Sequence, residues 1–314
     1  MSRGHSPRRR LDAELLRRGL VANRREAEQA VEAGEVLVGG ALAAKPARLV
    51  GADEAIVVLG EPARFVGRGG DKLDAALVAF GLDVTGAVAV DVGASTGGFT
   101  DCLLQRGAAR VVAVDVGHGQ LHPKLRGDRR VQVLEHTDVR DLDVVGAGGP
   151  FEVVVVDVAF ISLRGLAPIL ANRLCRPGGE LVALVKPQFE VGRVAASRAR
   201  GVVRDPGAWE RALAGVAAAF DAAGATVEGV LPSPIRGRAG NVEFLLWVRP
   251  GRGGGARAPG WGVASEGMDV GAVSPWQAWA EAAVQLVGDR RPEPTEGSTT
   301  EGAGEPEGRR PWPR

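Results

Sequence analysis

From Ala87 to Val248 the chain alternates short apolar runs with stretches whose apolar residues recur every three or four positions. The runs are Ala87–Val92, Arg110–Asp115, Val131–Leu134, Glu152–Asp157, Glu180–Lys186, Thr226–Leu231 and Val242–Val248. Rich in Val, Ala and Leu, they read as strands buried on both faces, and the stretches between them as covering helices. This alternation predicts an α/β fold with a seven-stranded, Rossmann-like, mostly parallel sheet. A loop rather than a helix joins the last two runs, so that pair is expected to be antiparallel.

The first sixty residues follow another pattern. Leu11, Leu15 and Leu16 give one short helix an apolar face, Ala27, Ala30 and Val31 a second, and Gly34 is placed to end it. Val36 and Val38 alternate into Gly39-Gly40, and strand material continues to Val58. Residues 8–60 thus read as a small α+β domain, 61–70 as a linker and 71–249 as the α/β domain. "RGVVRDP" (Arg200–Pro206) reads as a mobile loop near the site. Residues 250–314, rich in Gly, Pro, Glu and Arg, are expected to be mostly disordered around one helical island, "PWQAWAEAAVQLVG".

Composition narrows the function. With no Tyr and 4% aromatic residues, a stacking platform for single-stranded RNA is disfavoured. The net charge is only +1, so contact with nucleic acid must come from local charge; residues 1–25 hold eight Arg against Asp12 and Glu14. Cys102 and Cys175 make neither a disulfide framework nor a zinc site and suit the cytoplasm. No run approaches a membrane span and no secretory signal is visible, so no membrane partner is expected. His118 and His122 have a metal-ligand spacing, but Gly119 and Pro123 argue against a helix and no third ligand is near; no metal is expected.

In open α/β sheets, ligands gather beyond the carboxyl ends of the strands. "VDVGASTGGFTD" (Val90–Asp101) puts Asp91 at the first strand tip, followed by a glycine-rich turn that lacks dinucleotide spacing. Asp115 ends the second strand, where it can accept bonds from ribose hydroxyls, and Asp138 follows the third, within reach of an adenine amino group. Acids along one edge disfavour a pyrophosphate and suit a cationic ligand such as S-adenosylmethionine. The expected donor-binding residues are Asp91, Gly93, Ser95, Thr96, Gly97, Gly98, Phe99, Thr100, Asp115, Asp138 and Asp157.

Methylation of a pyrimidine carbon needs a Cys nucleophile, and Cys102, inside a helix, and Cys175, at a helix end, are poorly placed. Asp157-Val158-Ala159-Phe160 lacks the prolines common in adenine amino-methyltransferases. The site instead offers Lys72, Asp157, Lys186 and Glu243. An alcohol such as a ribose 2′-hydroxyl needs an aligned base. Free Lys has a pKa of about 10.4, so a Lys base must be made neutral; burial and a second cation lower that value, while carboxylates raise it. Lys186 as base, with Lys72, Asp157 and Glu243 orienting it, is self-consistent.

"RGGDKL", "DVGASTGGFTD", "DVGHGQL", "VVVDVAFISL", "LVKPQFEVG" and "GNVEFLLWV", in this order, resemble the TlyA family of rRNA 2′-O-methyltransferases. The catalytic part is similar to FtsJ-type ribose methyltransferases and the N-terminal unit to an S4 RNA-binding domain, together over about residues 8–249. The resemblance implies a Lys72, Asp157, Lys186, Glu243 tetrad, S-adenosylmethionine as cofactor, and cytidine 2′-hydroxyls of 16S and 23S rRNA within ribosomal subunits as targets. The chain departs at Ala159, where Ser is usual, at Asn23, where Ser precedes the Arg, and at His118, where an aromatic is common.

Arg8, Arg9, Arg10, Arg24, Arg25, Lys45 and Arg48 could neutralise phosphates from the N-terminal unit, with Arg68, Lys124, Arg126 and Arg130 extending that surface. A monomer is expected. Three other classes compete. A pseudouridine synthase often carries an S4 domain but leaves the strand-tip acids unexplained. A pore-forming hemolysin needs a membrane-active segment, and none is visible. A catalytically dead ribosome-assembly factor is the serious rival.

Overall fold

The computed structural model describes residues 8–21, 24–59, 63–192, 201–237 and 239–251. The expectations for residues 1–7 and for the tail after Gly251 lie outside them.

The N-terminal unit comprises β1 (Arg9–Arg10), α1 (Leu11–Arg17), α2 (Arg24–Glu32), β2 (Val36–Val38), β3 (Ala41–Leu42), β4 (Leu49–Val50) and β5 (Ile56–Val58). Antiparallel β3-β2-β5 forms one small sheet, and β1 pairs with β4. Leu11, Leu15, Ala27, Ala30 and Val31 pack with Val36 and Val38 into one core. Gly34, at φ +72°, lets the chain leave α2, and Glu35 N–H returns to the Ala30 carbonyl. Leu16, expected on the buried face, is 43% exposed. Leu11 and Leu15 stand one turn apart in the buried stripe, and Leu16 is rotated about 100° out of it.

The second unit comprises α3 (Gly69–Ala79), β6 (Val88–Val92), α4 (Gly98–Gln105), β7 (Arg110–Val114), α5 (Pro123–Arg126), β8 (Val131–Leu134), β9 (Phe151–Val156), α6 (Leu163–Ile169), β10 (Cys175–Val185), α7 (Pro187–Glu190), α8 (Pro206–Ala222), β11 (Ala225–Pro232) and β12 (Phe244–Pro250). A π turn, Leu170–Leu174, continues α6 directly into β10, so Cys175 heads a strand rather than ending a helix. The strand order is β11-β12-β10-β9-β6-β7-β8, and only β12 runs against its neighbours. All seven expected strands are present, the last two antiparallel.

Alternation along the strands divides the core. Val90, Val92, Val112, Val114, Val154 and Val156 face one side with Leu166, Leu213 and Phe220. Ala89, Val111, Ala113, Val153 and Val155 face the other with Leu73, Leu77 and Leu103. Burial on both faces explains why the strands read as continuous apolar runs. The strand order reverses between β6 and β9, which puts the binding crevice at their carboxyl ends.

Two elements of the expected linker belong to this core. Gly69 and Gly70 open α3, and Phe65 is buried beneath it. The Phe65 ring lies 2.2 Å from where a Cβ on Gly70 would be, so only glycine admits this packing. A Cβ on Gly98 would stand 2.9 Å from Gly70 N and 3.0 Å from the Gly67 carbonyl, backbone atoms that cannot swing aside. Gly98→Ala is therefore expected to cost about 1–3 kcal/mol in denaturant unfolding. Unchanged stability would show that α3 and α4 tolerate separation.

Candidate active site at the strand tips

Asp91, the penultimate residue of β6, is wholly buried. Its Oδ2 accepts hydrogen bonds from Thr100 N at 2.9 Å and Thr100 Oγ1 at 2.7 Å, which tie the strand tip to α4. Its Oδ1 has no hydrogen-bond partner among the described residues. The three turn glycines, expected to admit a ligand, have protein against the side a Cβ would take. A Cβ on Gly93 (φ +86°) would fall 2.5 Å from the Asp157 carbonyl, and one on Gly97 (φ +95°) would enter Leu125 and Leu121. Phe99 is buried against Gly69, and Ser95, at φ +47°, is exposed. Gly93 and Gly97 thus bend the turn and let it pack, while the exposed Ser95 and half-buried Thr96 remain at its surface.

Asp115 accepts from Ser95 N at 2.8 Å and Gly117 N at 2.7 Å, so it joins the turn to the tip of β7. Burial pushes the Asp91 carboxyl up to about 7, opposed by the Thr100 bonds and reinforced by the Asp157 and Asp115 charges. Three of the expected acids therefore share one electrostatic neighbourhood. Asp138 does not join them. It pairs with Arg140 at 2.6 Å and accepts from Arg140 N, and these bonds hold its carboxyl at about 2. Asp91 and Asp115 form no ion pair among the described residues, and this uncompensated acid pair fits a cationic ligand better than a pyrophosphate.

The four candidate catalytic residues form two ion pairs. Lys72, from the first turn of α3, meets Glu243, just before β12, at 2.5 Å, and both side chains are almost fully buried. Lys186, following β10, meets Asp157, following β9, at 2.5 Å without hydrogen-bond alignment. This second pair keeps 14% and 24% side-chain exposure, so it is the one an incoming group can reach. Gly69 stands beside Asp157, so α3 carries Lys72 up to the outer pair. Cys102 and Cys175 are buried and their thiols pushed up to about 12, unsuited to nucleophilic work.

The expected RNA contacts are mostly engaged with acids. Arg8 pairs with Glu54, Arg10 and Arg24 with buried Asp12, and Arg126 with Glu135. Glu14, 2% exposed, binds Arg17 and Arg18, and these bonds lower its carboxyl to about 2. Asp12 and Glu14, which looked like minor offsets to the charge, instead fix an array of guanidinium groups. Lys45 and Arg68 are exposed and form no salt bridge among the described residues; Arg68 attracts the nearby Asp71 carboxylate and donates to the Arg236 carbonyl at 2.6 Å. The side chain of Arg25 lies outside the described residues.

The loop after residue 200 is anchored where described. Asn241, 3% exposed, accepts from Val203 N at 2.9 Å and donates to the Gly201 carbonyl, because its amide is buried beside the loop and needs both bonds. Pattern reading missed Phe160, whose ring is 91% exposed at φ +65° and 5.2 Å from that of Phe189. Its signal was an aromatic three residues past a strand-tip acid. No helix among the described residues is long and apolar enough to cross a membrane.

Comparison with known proteins matches residues 65–249 to the FtsJ-like methyltransferase model and 9–56 to the S4 domain model. The chain is 46% identical to the 16S/23S rRNA (cytidine-2′-O)-methyltransferase TlyA of Mycobacterium tuberculosis, over 77% of this chain and 90% of that one. It is 38% identical to Hemolysin A of Brachyspira hyodysenteriae, over 75% and 98%. A solved structure from Streptococcus thermophilus, provisionally labelled a hemolysin, superposes with TM-score 0.68 at 36% identity, covering 90% of this chain and 98% of that one.

The raised Asp91 carboxyl sets a pH dependence. Because its folded-state value lies above the ordinary one, its stabilising contribution is full below pH about 4 and is lost as pH rises through about 7. A cation docking nearby favours the ionised form. S-adenosylmethionine is expected to bind up to about tenfold more tightly at pH 7.5 than at pH 6, with Asp91→Asn flattening the response. Calorimetric titration giving equal affinities in the parent protein would uncouple Asp91 from the ligand.

Proposed function

The chain belongs to the FtsJ-like methyltransferase family and carries an S4 domain, and on that premise we propose that it methylates ribose 2′-hydroxyls of cytidine in 16S and 23S rRNA. The observation that carries this reading is the partly exposed Lys186–Asp157 pair, set beside the acid cluster and backed by the buried Lys72–Glu243 pair.

S-adenosylmethionine, when bound, supplies an electrophilic methyl group on a sulfonium. Asp91, Asp115 and Asp157 provide the negative field for it, and Ser95 and Thr96 line the turn. Lys186 Nζ, acting in its neutral form after losing a proton to solvent, accepts the proton of the 2′-hydroxyl, and Asp157 keeps that nitrogen at the tip of β9. Glu243 and Lys72 hold each other on neighbouring elements and fix the floor beneath the outer pair. Buried, protonated thiols make attack through Cys102 or Cys175 a poor alternative.

The S4 domain supplies phosphate contacts. Guanidinium groups already oriented by Asp12 and Glu14 retain free N–H donors, and Lys45 and Arg68 add unpaired charge. Phe160 offers an exposed face on which the target base can stack once it leaves its helix. Work on ribosomal subunits implies a cytoplasmic enzyme.

Transfer of labelled methyl groups to ribosomal subunits tests the assignment of the base. Lys186→Ala is expected to lower the transfer rate by about 10²–10⁴-fold while leaving S-adenosylmethionine affinity nearly unchanged. Undiminished transfer would remove Lys186 as the base. A parent protein that binds donor and rRNA but transfers nothing would be an assembly factor.

A further inference from the structure

Asp157 and Lys186 stand at the heads of two loops, each leaving the sheet from a different strand. One runs from Asp157 to Ser162 and enters α6; the other is α7. Backbone bonds fix each head to its own surroundings, Asp157 N to the Val92 carbonyl and Phe189 N to the Lys186 carbonyl, both at 2.9 Å, but do not tie the two segments beyond the heads to each other, and Phe160 sits in the left-handed region at φ +65°. Something must keep the two loops in register if the 2.5 Å contact between their heads is to persist.

We propose that Glu190 is a positioning residue that locks these two loops together and so aligns Lys186 with Asp157 for proton transfer. The inference rests on the reading of this pair as the site of 2′-hydroxyl activation. Glu190 ends α7, four residues beyond Lys186, and its side chain is 1% exposed. Its Oε2 accepts from Ser162 Oγ at 2.6 Å and its Oε1 from Leu163 N at 2.8 Å. Ser162 is the N-cap of α6, and its Oγ in turn accepts from Arg164 N at 3.2 Å. Arg164 Nε stands 3.6 Å from Oε2 and adds charge complementarity. One carboxylate on the Lys186 loop therefore satisfies the start of the helix into which the Asp157 loop runs.

The Phe160–Phe189 contact is a second link between the same loops, on their exposed side. With Glu190 below and the two rings above, the loops move as one body. A carboxylate buried this deeply carries a desolvation cost, which a helix cap supplied by Ser162 alone would not require. Joining two active-site loops accounts for its placement. Its effect should fall on transition-state alignment rather than on ligand affinity.

The test compares Glu190→Ala, Glu190→Gln and Ser162→Ala in the full chain. Each is followed by methyl transfer to ribosomal subunits, donor binding, melting temperature and amide hydrogen exchange. Glu190→Ala is expected to lower kcat by about 10- to 100-fold, with donor KM and subunit affinity within about twofold. Exchange should rise in both 157–163 and 186–190. Glu190→Gln should recover most of the rate, since its amide can accept from Leu163 N and donate to Ser162 Oγ. Ser162→Ala, which removes the bond to Glu190 and the cap on Arg164 N, should lower kcat about three- to tenfold with a fall in melting temperature of a few degrees, and it carries the test if Glu190→Ala does not fold.

Unchanged kcat in Glu190→Ala or, failing that, in Ser162→Ala overturns the proposal. So does a parallel fall of kcat, donor binding and melting temperature with no recovery in Glu190→Gln, and so does exchange that rises in one loop only. An inactive parent protein rejects the reading of function instead, and exchange then decides the clamp by itself.

Discussion

The hydrogen bond from Asp157 N to the Val92 carbonyl, 2.9 Å long, is the joint on which the site depends. It holds the tip of β9 against the tip of β6, at the place where the strand order reverses. The approach leaves no room for a side chain at residue 93, so the turn must bend through glycine at φ +86°. It also brings the Asp157 charge close enough to act on buried Asp91. The acid cluster and the position of the outer Lys186–Asp157 pair thus follow from one backbone contact.

Charge in this molecule is arranged as fixed pairs rather than as a diffuse surface. Lys72 with Glu243 and Lys186 with Asp157 each bring together residues distant in the chain. Such pairs add little net stability, since removing two ions from water costs about what their attraction returns. Their use here is orientation. The S4 domain applies the same device to its guanidinium groups, with Asp12 and Glu14 as buried anchors, so a chain of net charge +1 still presents a directed basic array.

The strands and their pairing were legible because burial on both faces leaves an apolar run that polar neighbours cannot blur. The four tetrad candidates are expected from their chemistry near strand ends, and the fold pairs them as Lys72 with Glu243 and Lys186 with Asp157. What patterns could not show was which atoms fill the space beside each residue. Gly93, Gly97 and Gly98 are expected as ligand contacts, and Asp157, Leu125 and the 67–70 backbone give a further reason for glycine there, since they fill the side a Cβ would take. Asp138 looked equivalent to Asp115 until Arg140 was seen to neutralise it. "RGVVRDP" (Arg200–Pro206) reads as a mobile loop; in its described part a buried amide, Asn241, bonds Val203 and Gly201. Glu190 lies inside the motif "LVKPQFEVG", but the motif does not reveal its partners, because they come from a different strand's loop.

On the proposed function, the reach of Lys186 Nζ, and not a thiol or an amino-directed site, decides where the methyl group goes. Ribosomal subunits lacking the modification should be incubated with the protein and deuterium-labelled S-adenosylmethionine, and the rRNA digested and mapped by mass spectrometry. The account predicts label on the 2′-oxygen of cytidine ribose, absent when Lys186 is replaced. Label on a base carbon or amino nitrogen, or no label under conditions where donor and subunit both bind, would contradict it.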